Sequence, residues 1–228
     1  MSPSAPFVVL MVAKAPEPGR VKTRLCPPLS PAQAATLASA ALLDSLATAL
    51  EAVGGVRQRV VIAWQGELAA AVASAETRQA MAGCLVIPQR GASFAERLVR
   101  AHADVADLHP GASVVQIGMD TPQISATHLV TAVEQLYGGN DKAVLGPADD
   151  GGWWLLGLSR PSSATALRQV PMSTDSTGRQ TRTALESQGC PVTLTATMRD
   201  VDTWADAVGV AALCPTTRFA QAVGAVKA

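Results

Sequence analysis

The chain has 228 residues, of which 48% are hydrophobic and 16% are charged, and its 18 Lys and Arg residues balance its 18 Asp and Glu residues. This length suits one α/β domain with a full core, and the hydrophobic content excludes an intrinsically disordered chain. Because nucleic-acid-binding proteins usually carry a broad basic excess, the zero net charge argues against nucleic acid as a partner.

Short apolar runs alternate with helical patterns along the chain. The predicted strands are residues 7–13, 60–63, 85–88, 113–118, 143–146, 153–158 and 192–194. Several are continuously apolar, which is typical of a sheet covered by helices on both faces. The predicted helices are residues 31–54, 67–80, 93–107, 125–137, 178–188 and 203–212. This order predicts a single α/β domain over residues 1–228, with an open, mostly parallel mixed sheet, a hairpin near 149–154 and a mixed edge.

Two other classes of protein are disfavoured. The four cysteines are far apart, form no Cys-x-x-Cys pair and have no histidine at ligand spacing, which favours free, mostly buried thiols over a zinc site or disulfides: Cys26, Cys84, Cys190 and Cys214. The apolar run 7–13 has no basic residue before it, and no later segment reaches the roughly 18 uninterrupted apolar residues of a membrane span. We therefore expect a cytoplasmic protein without a membrane partner.

The most informative motif is a basic loop after the first predicted strand. Four cations lie within eleven residues of it: Lys14, Arg20, Lys22 and Arg24. Gly19 and the backbone N–H groups of a tight turn would let the loop approach an anion closely, and two prolines stiffen it. The pattern predicts phosphate binding, although an exposed polar connection is the alternative. The loop is not a Walker A motif, because its G-x-x-x-x-G-K-[ST] pattern is absent.

Asp120 follows the predicted strand 113–118 and would emerge at the end of that strand. A carboxylate at this position can hold Mg²⁺, which binds one or two protein carboxylates and completes its shell with phosphate and water. The alternative is that Asp120 caps the next helix.

A second acidic motif, Asp200-Val201-Asp202, precedes the last predicted helix. In an extended segment the two carboxylates point to opposite sides, so only one is expected to face the site. Because Thr203 is the expected helix cap, Asp202 is the favoured metal partner of Asp120, and Asp200 is the second choice. A solvated acidic turn is the alternative.

The run 146–157 concentrates aromatic side chains in a chain that is 4% aromatic. Gly151 and Gly152 permit a tight turn, and the adjacent Trp153 and Trp154 place one ring on each face of a strand. One ring belongs in the core, whereas the other can stack on a base or line an acceptor pocket. Asp150 can bind an acceptor hydroxyl or act as a base, or it belongs to ordinary hairpin chemistry.

The remaining polar candidates favour structural roles. The hydroxyl-rich run 173–177 is expected to cap a helix rather than to touch a phosphate. The three histidines, His102, His109 and His128, lie in or beside helical segments without metal-ligand partners, which favours surface or packing positions. No nucleophilic triad is evident.

Together, residues 14–25, 117–122, 146–158 and 200–203 resemble the motifs of the bacterial radical-SAM/selenodomain-associated transferases. That group belongs to the GT-A, or nucleotide-diphospho-sugar transferase, superfamily. Residues 21–25 are also similar to the lysine-rich loop of the phospholactate and phosphoenolpyruvate guanylyltransferases. The plan more distantly resembles the molybdenum-cofactor guanylyltransferase and sugar-nucleotide synthetases.

The resemblance implies a GT-A fold in which Lys14, Lys22 and Arg24 hold a nucleoside triphosphate while Asp120 and Asp202 hold Mg²⁺ or Mn²⁺. One departure concerns base recognition, because residues 13–16 replace the glycine-rich loop of many nucleotidyltransferases.

Three functions follow as hypotheses. The first is nucleotidyl transfer to a small phosphorylated acceptor, with Lys22 and Arg24 stabilising the leaving pyrophosphate. The second is glycosyl transfer from a nucleotide-sugar; such enzymes commonly carry a D-x-D motif, but here Gly118 takes the place of the first acid. The third is a non-catalytic nucleotide-binding module.

Overall fold

A sheet of seven strands forms the centre of the protein, whose computed structural model describes residues 7–138 and 141–227. The strand order is β3-β2-β1-β4-β6-β5-β7. The strands are β1 (Phe7–Lys14), β2 (Val60–Gln65), β3 (Leu85–Pro88), β4 (Ser113–Gly118), β5 (Ala143–Pro147), β6 (Trp153–Leu158) and β7 (Val192–Leu194). All seven predicted strands are confirmed, with small differences at their ends.

The sheet is mostly parallel. Strand β1 pairs in parallel with β2 and β4, and β5 pairs in parallel with β7. Among the described strands, β6 alone runs antiparallel to its neighbours, β4 and β5. The predicted hairpin is therefore confirmed, but the antiparallel strand lies inside the sheet. The expectation of a mixed edge is wrong, because the returning strand β6 inserts between β4 and β5.

Seven α-helices occur in the described ranges: α1 (Pro31–Ala52), α2 (Ser74–Met81), α3 (Phe94–Leu108), α4 (Ala126–Leu136), α5 (Thr177–Ser187), α6 (Trp204–Leu213) and α7 (Arg218–Lys227). The helix predicted over 67–80 is wrong in its first half, where a 3₁₀ turn at Leu68–Ala70 precedes α2. A 3₁₀ segment at Pro161–Gln169 and helix α7 were not predicted from the sequence.

The helices cover both faces of the sheet. On one face, α1 and α4 pack on the alternate β1 side chains that include Val9 and Met11. On the other face, α3, α5 and the 3₁₀ segment pack on the set that includes Val8 and Leu10. Because both faces are buried at the centre of the sheet, the central strands are largely apolar, which is why their sequences form nearly continuous apolar runs.

Helix α1 joins the sheet to a third apolar cluster formed with α6 and α7. It is the one described helix that is long and apolar enough to cross a membrane, yet 72% of its most apolar 18-residue window is buried in the fold. Its Asp44 accepts hydrogen bonds from the backbone N–H groups of Arg218 (3.2 Å) and Phe219 (2.8 Å), so a side chain of α1 caps the start of α7.

The carboxyl ends of the central parallel strands bring the predicted motifs together. Val12 of β1 is in register with Gly118 of β4, so the loops that follow both strands leave the same edge of the sheet. The antiparallel strand β6 begins at this edge with Trp153. In open α/β sheets this edge is where ligands bind.

Candidate active site

A cleft of about 700 Å³ opens at this edge of the sheet. The three predicted motifs all contribute to it, through the basic loop, the end of β4 and the segment before α6. The β5–β6 turn and the segment 172–175 before α5 also contribute to it. The predicted site residues in its wall are Lys14, Arg20, Lys22, Arg24, Asp120, Asp150, Gly152, Trp153 and Asp202.

Lys22 connects the basic loop to both acidic motifs. Its Nζ donates to Asp120 Oδ2 at 2.7 Å and to the Val201 carbonyl oxygen at 2.6 Å. The same Nζ lies 4.0 Å from Asp202 Oδ1, and Arg24 donates to Asp202 Oδ2 at 3.1 Å. The loop and the acids predicted from the sequence thus form one cluster of alternating charge.

The backbone of Lys22 is left-handed, with φ of 47°, which is uncommon for a residue with a side chain. Such a conformation costs on the order of 1 kcal/mol and persists where surrounding contacts enforce it. The two hydrogen bonds of Nζ hold the side chain, while Leu25, three residues later, is fully buried in the third apolar cluster. These anchors fix the loop at both ends of its short 3₁₀ turn, Thr23–Leu25.

Lys22 and Asp120 each shift the pKa of the other, because their charged groups are in direct contact. Burial alone would lower the pKa of Lys22, but the Asp120 carboxylate, with smaller contributions from Asp202 and Asp200, outweighs burial and raises it. The Lys22 ammonium in turn holds the pKa of Asp120 below its ordinary value, against the effect of burial. Both groups are therefore charged at neutral pH.

Asp200 also lines the cleft, so the expectation that only one of Asp200 and Asp202 faces the site is wrong. The segment around them is irregular rather than a strand, and the alternation of side chains does not apply. Burial, together with the negative charges of Asp120 and Asp150, raises the pKa of Asp200 to about 7. The acidic side of the cleft thus holds more negative charge than Lys22 compensates.

Helix capping does not explain Asp120. Helix α4 is capped by Ser125, whose Oγ accepts from the His128 backbone N–H while the His128 side chain accepts from the Ser125 N–H. Asp120 is left to face the cleft and Lys22. Thr203 caps α6 as expected, through a capping box with Asp206.

Gly118 leaves room for the Asp120 side chain. A Cβ at position 118 would lie 2.7 Å from Asp120 Oδ1, closer than real Cβ contacts. A side chain at position 118 would therefore displace the Asp120 carboxylate from its present position.

Lys14 and Arg20 line the cleft beside Lys22. Lys14 Nζ donates to the Arg20 carbonyl at 3.0 Å, and Arg20 pairs with Glu17 at 3.3 Å. Gly19 adopts φ of 76° in the turn between them but is not among the residues that line the cleft. Its contribution is to the shape of the loop.

The β5–β6 turn confirms that the adjacent tryptophans face opposite sides. Trp153 packs on the α3 side and donates Nε1 to Thr181 Oγ1 at 3.2 Å, whereas Trp154 is buried on the α1 side. Asp150 accepts from the Gly152 N–H at 2.7 Å. Gly151, predicted as acceptor-binding, does not line the cleft; its carbonyl accepts from Gly178 N–H at 2.8 Å and joins the turn to α5.

The run 173–177 departs from its expected capping role. Ser176 precedes α5 but makes no side-chain capping bond, and Thr174 and Thr177 line the cleft. The structural roles predicted for the histidines agree with the positions of two of them: His102 is completely buried in α3, and His128 takes part in the α4 cap. All four cysteines are free, but only Cys190 and Cys214 are buried.

Several cleft residues were not identified from the sequence, among them Gln65, Gln89, Phe94, Arg97, Gln116 and Met172. Gln116 offered a signal, because it is a polar residue within the apolar strand β4. Arg97 offered none, since an arginine in the first turns of a helix is ordinarily a surface residue.

The donor set of the acidic side fits a hard divalent cation. Lys22 Nζ already occupies a position among oxygen atoms of Asp120, Val201 and Asp202. Within the described residues, no three His, Cys, Asp or Glu side chains form a metal-binding group. Magnesium, which uses one or two protein carboxylates and takes its other ligands from phosphate and water, suits such a site.

Residues 43–174 match the family described as "Uncharacterized protein conserved in bacteria (DUF2064)". The chain belongs to this family. Its description gives no activity, and no curated protein matches the sequence. The association with radical-SAM transferases and guanylyltransferases stays a prediction.

Solved structures share the fold. A Desulfovibrio desulfuricans G20 protein, provisionally named a nucleotide-diphospho-sugar transferase, has a TM-score of 0.74 at 24% identity, with 89% of this chain and 84% of that chain covered. A cytidylyltransferase from Leptospira borgpetersenii has a TM-score of 0.57 at 13% identity, covering 98% and 94%. CMP:2-keto-3-deoxy-manno-octonic acid synthetase complexed with CTP has a TM-score of 0.54 at 15% identity, covering 92% and 99%. The predicted fold class is confirmed.

Proposed function

We propose that this protein is a metal-dependent nucleotidyltransferase, which moves a nucleoside monophosphate group from a nucleoside triphosphate to a small phosphorylated acceptor. The observation that carries the proposal is the position of Lys22 Nζ, 2.7 Å from Asp120 and 4.0 Å from Asp202. A cationic loop and two carboxylates at one strand edge are the parts needed to hold a triphosphate and its metal ion.

In the proposed reaction, an oxygen of the acceptor phosphate forms a bond to the α-phosphorus. The bond from that phosphorus to the bridging oxygen breaks, and its electron pair leaves with pyrophosphate. Because the acceptor phosphate is already ionised at neutral pH, the step needs no general base. Lys22 and Arg24 stabilise the charge that grows on the leaving group, and Lys14 and Arg20 hold the triphosphate.

Asp120 and Asp202 would hold Mg²⁺ or Mn²⁺, with Asp200 as the alternative ligand. The bound ion would neutralise phosphate charge and polarise the phosphoryl oxygens. Burial is the main cause of the raised pKa of Asp200, and the negative charges of Asp120 and Asp150 add to it, so a bound cation would relieve part of this opposition. If Asp120 held a cation, its contact with Lys22 would weaken, and Lys22 would be able to donate to a phosphate oxygen instead.

The acceptor would bind beside the β5–β6 turn, where Asp150, Gly152 and Trp153 line the cleft. Gly19 and Gly151 would shape the two loops without touching the ligands. We assign this activity to one transferase domain that spans residues 1–228 and operates in the cytoplasm, with no nucleic acid or membrane as partner.

Glycosyl transfer from a nucleotide-sugar is the second candidate. The provisional name of the Desulfovibrio protein favours it, whereas the CTP complex and the cytidylyltransferase favour nucleotidyl transfer. The residue at position 118 weighs against glycosyl transfer, because a D-x-D motif would have an acid where this chain has Gly118. A nucleotide-binding module without activity would need only the basic loop.

A thermal-shift screen tests the proposal. The four ribonucleoside triphosphates and common nucleotide-sugars are each added with and without Mg²⁺, because a ligand that binds the folded state raises its apparent stability. We expect the largest shift from one triphosphate with Mg²⁺, and loss of the shift in Lys22→Gln. Arg182→Gln is the matched control, since Arg182 pairs with Glu186 on α5 away from the cleft.

Acceptor-dependent release of pyrophosphate from that triphosphate would then support nucleotidyl transfer. A shift from nucleotide-sugars only would favour glycosyl transfer. Triphosphate binding that is indifferent to Mg²⁺ and to Asp202→Asn would favour a non-catalytic module.

A further inference from the structure

Arg97 is a cation in the cleft that the proposed phosphate and metal site does not use. It is half-buried near the start of α3, and its guanidinium carbon lies 5.5 Å from the centre of the Phe94 ring. No described acidic side chain forms an ion pair with it, whereas Lys22, Arg20 and Arg24 each have a carboxylate partner. Its Nε is buried and has no hydrogen-bond acceptor.

Gln116 is an independent anomaly in the same cleft. The residue is in the middle of β4 and is only 3% exposed, yet its Oε1 has no hydrogen-bond partner in the described structure. A buried amide oxygen without a donor costs stability, so such groups in native proteins call for an explanation. Because Gln116 lines the cleft, a bound ligand can supply the missing donor.

Both residues belong to the α3 side of the sheet. Gln116 is in register with Leu10 and Leu156, which pack in the cluster on that side. Trp153 and Met172 pack against the same cluster and also line the cleft. The cleft therefore extends from the phosphate and metal side to a second region with apolar walls, one unpaired guanidinium and one unpaired amide oxygen.

We propose that this region, defined by Arg97, Gln116, Trp153 and Met172 and here called the α3 pocket, binds the end of the acceptor that carries a carboxylate next to a hydroxyl group. Arg97 holds the carboxylate, and Gln116 Oε1 accepts a hydrogen bond from the hydroxyl. That this ligand is the acceptor rests on the proposed function. The preference of the pocket for a carboxylate next to a hydroxyl group does not rest on it.

The charge balance favours a carboxylate. A guanidinium matches a carboxylate through two parallel hydrogen bonds, and one cation compensates one negative charge. A phosphate dianion at Arg97 would leave one negative charge uncompensated, because Arg97 is the one cation among the four residues that define the α3 pocket. An uncharged ligand would leave Arg97 uncompensated in a partly buried position.

Ligand-observed NMR titration of the full chain tests the pocket. All samples contain Mg²⁺ and inorganic tripolyphosphate, which fill the phosphate side and keep a carboxylate from binding there. The probes are glycerate, glycerol, which lacks the carboxylate, and propionate, which lacks the hydroxyls. We expect glycerate to bind about tenfold more tightly than either of the other two, because glycerol lacks the carboxylate that pairs with Arg97 and propionate lacks the hydroxyl that donates to Gln116.

The variants separate the two contacts. Arg97→Gln should weaken glycerate binding about tenfold, and Arg97→Lys should restore part of it because the charge is kept without the planar fork. Arg100→Gln is the matched control on the same helix, where Arg100 pairs with Glu96 and is not among the cleft residues. Gln116→Leu should abolish the preference for glycerate over propionate.

Gln116→Leu should also raise the Tm by about 2–4 °C, because it removes an unpaired polar group from the interior. A structural role for Gln116 predicts a lower Tm instead. Equal affinity for the three probes, or glycerate binding that survives Arg97→Gln, overturns the proposal. If tripolyphosphate fails to bind while glycerate still depends on Arg97, the proposed function fails and the pocket stands.

Discussion

Lys22 Nζ lies 2.7 Å from Asp120 Oδ2, although the two residues are 98 positions apart in the chain. The contact exists because β1 and β4 are parallel neighbours, so the loops that follow them leave the sheet side by side. The side chain of Lys22 is largely buried, with 14% exposure, whereas that of Asp120 keeps 40%. The pair is therefore open to a ligand on the Asp120 side.

Replacing Lys22 by Gln should lower nucleotidyl transfer about 100- to 1000-fold, a loss comparable to removing one positioned transition-state donor. The variant would keep most of the side-chain volume but lose the charge. The effect should fall on both KM and kcat, because Lys22 contributes to triphosphate binding and also stabilises the leaving charge that develops in the transition state. Steady-state measurement of pyrophosphate release checks this, with Arg182→Gln as control. An unchanged kcat would remove Lys22 from the reaction.

Gly118→Ala probes the space beside Asp120. The added Cβ would lie 2.7 Å from Asp120 Oδ1, so the carboxylate must shift from the position in which it pairs with Lys22. We expect triphosphate turnover in Mg²⁺ to fall at least tenfold, while the fold is kept because the Gly118 φ is not in the left-handed region. Gly224→Ala is the matched control, because a Cβ at this position in α7 would meet open space and the φ of Gly224 is not left-handed. Gly54→Ala is unsuitable, since Gly54 has φ of +65° and an alanine there would be strained. Full activity in Gly118→Ala would show that the position of Asp120 is not critical.

Much of the site was predictable because its signals are local. A cationic turn after an apolar strand, an aspartate at a strand end and a Thr203 cap after Asp202 are each visible within a few residues. The β/α order then places these segments at one edge of the sheet. The same logic failed for Asp200, because it assumed an extended strand where the chain is irregular.

The unpredicted parts depend on distant partners. Helix α7 begins where Arg218 and Phe219 donate to Asp44, which is 174 residues before Arg218. A cap supplied by another helix leaves no motif next to the helix it caps. Arg97 is similar, since only the fold shows that the side chain faces the cleft and lacks an acidic partner.

Asp44→Ala should destabilise the protein by about 1–2 kcal/mol, the range found for the loss of a helix cap. The Asp44 carboxylate is mostly buried and accepts both first N–H groups of α7, so water cannot fully replace it. Urea denaturation followed by circular dichroism measures the change. Asp44→Asn should retain a substantial part of the stability, because its amide oxygen can still accept. Equal losses in both variants would assign the effect to the negative charge rather than to the hydrogen bonds.

The stability of the fold should decline between pH 6.5 and pH 4 in part because of His102. This histidine is fully buried in α3, where Nδ1 lies 2.9 Å from the Leu98 carbonyl and Nε2 has no partner. Burial lowers the pKa of His102 from 6.5 to about 4, so its stabilising contribution is complete above pH 6.5. As the pH falls through this window, the unfolded chain binds a proton that the folded chain does not, and unfolding becomes more favourable.

The expected loss from His102 is about 2 kcal/mol at pH 5 and about 3 kcal/mol at pH 4. Buried carboxylates also titrate in this range, so the wild type is compared with His102→Leu, which cannot bind the proton and keeps an apolar side chain of similar size. The difference in unfolding free energy between the two proteins, measured in urea at pH 7, 6, 5 and 4.5, should shift in favour of the variant as the pH falls. If that difference is independent of pH, His102 is protonated equally in the folded and unfolded chains, and its burial does not control its ionisation.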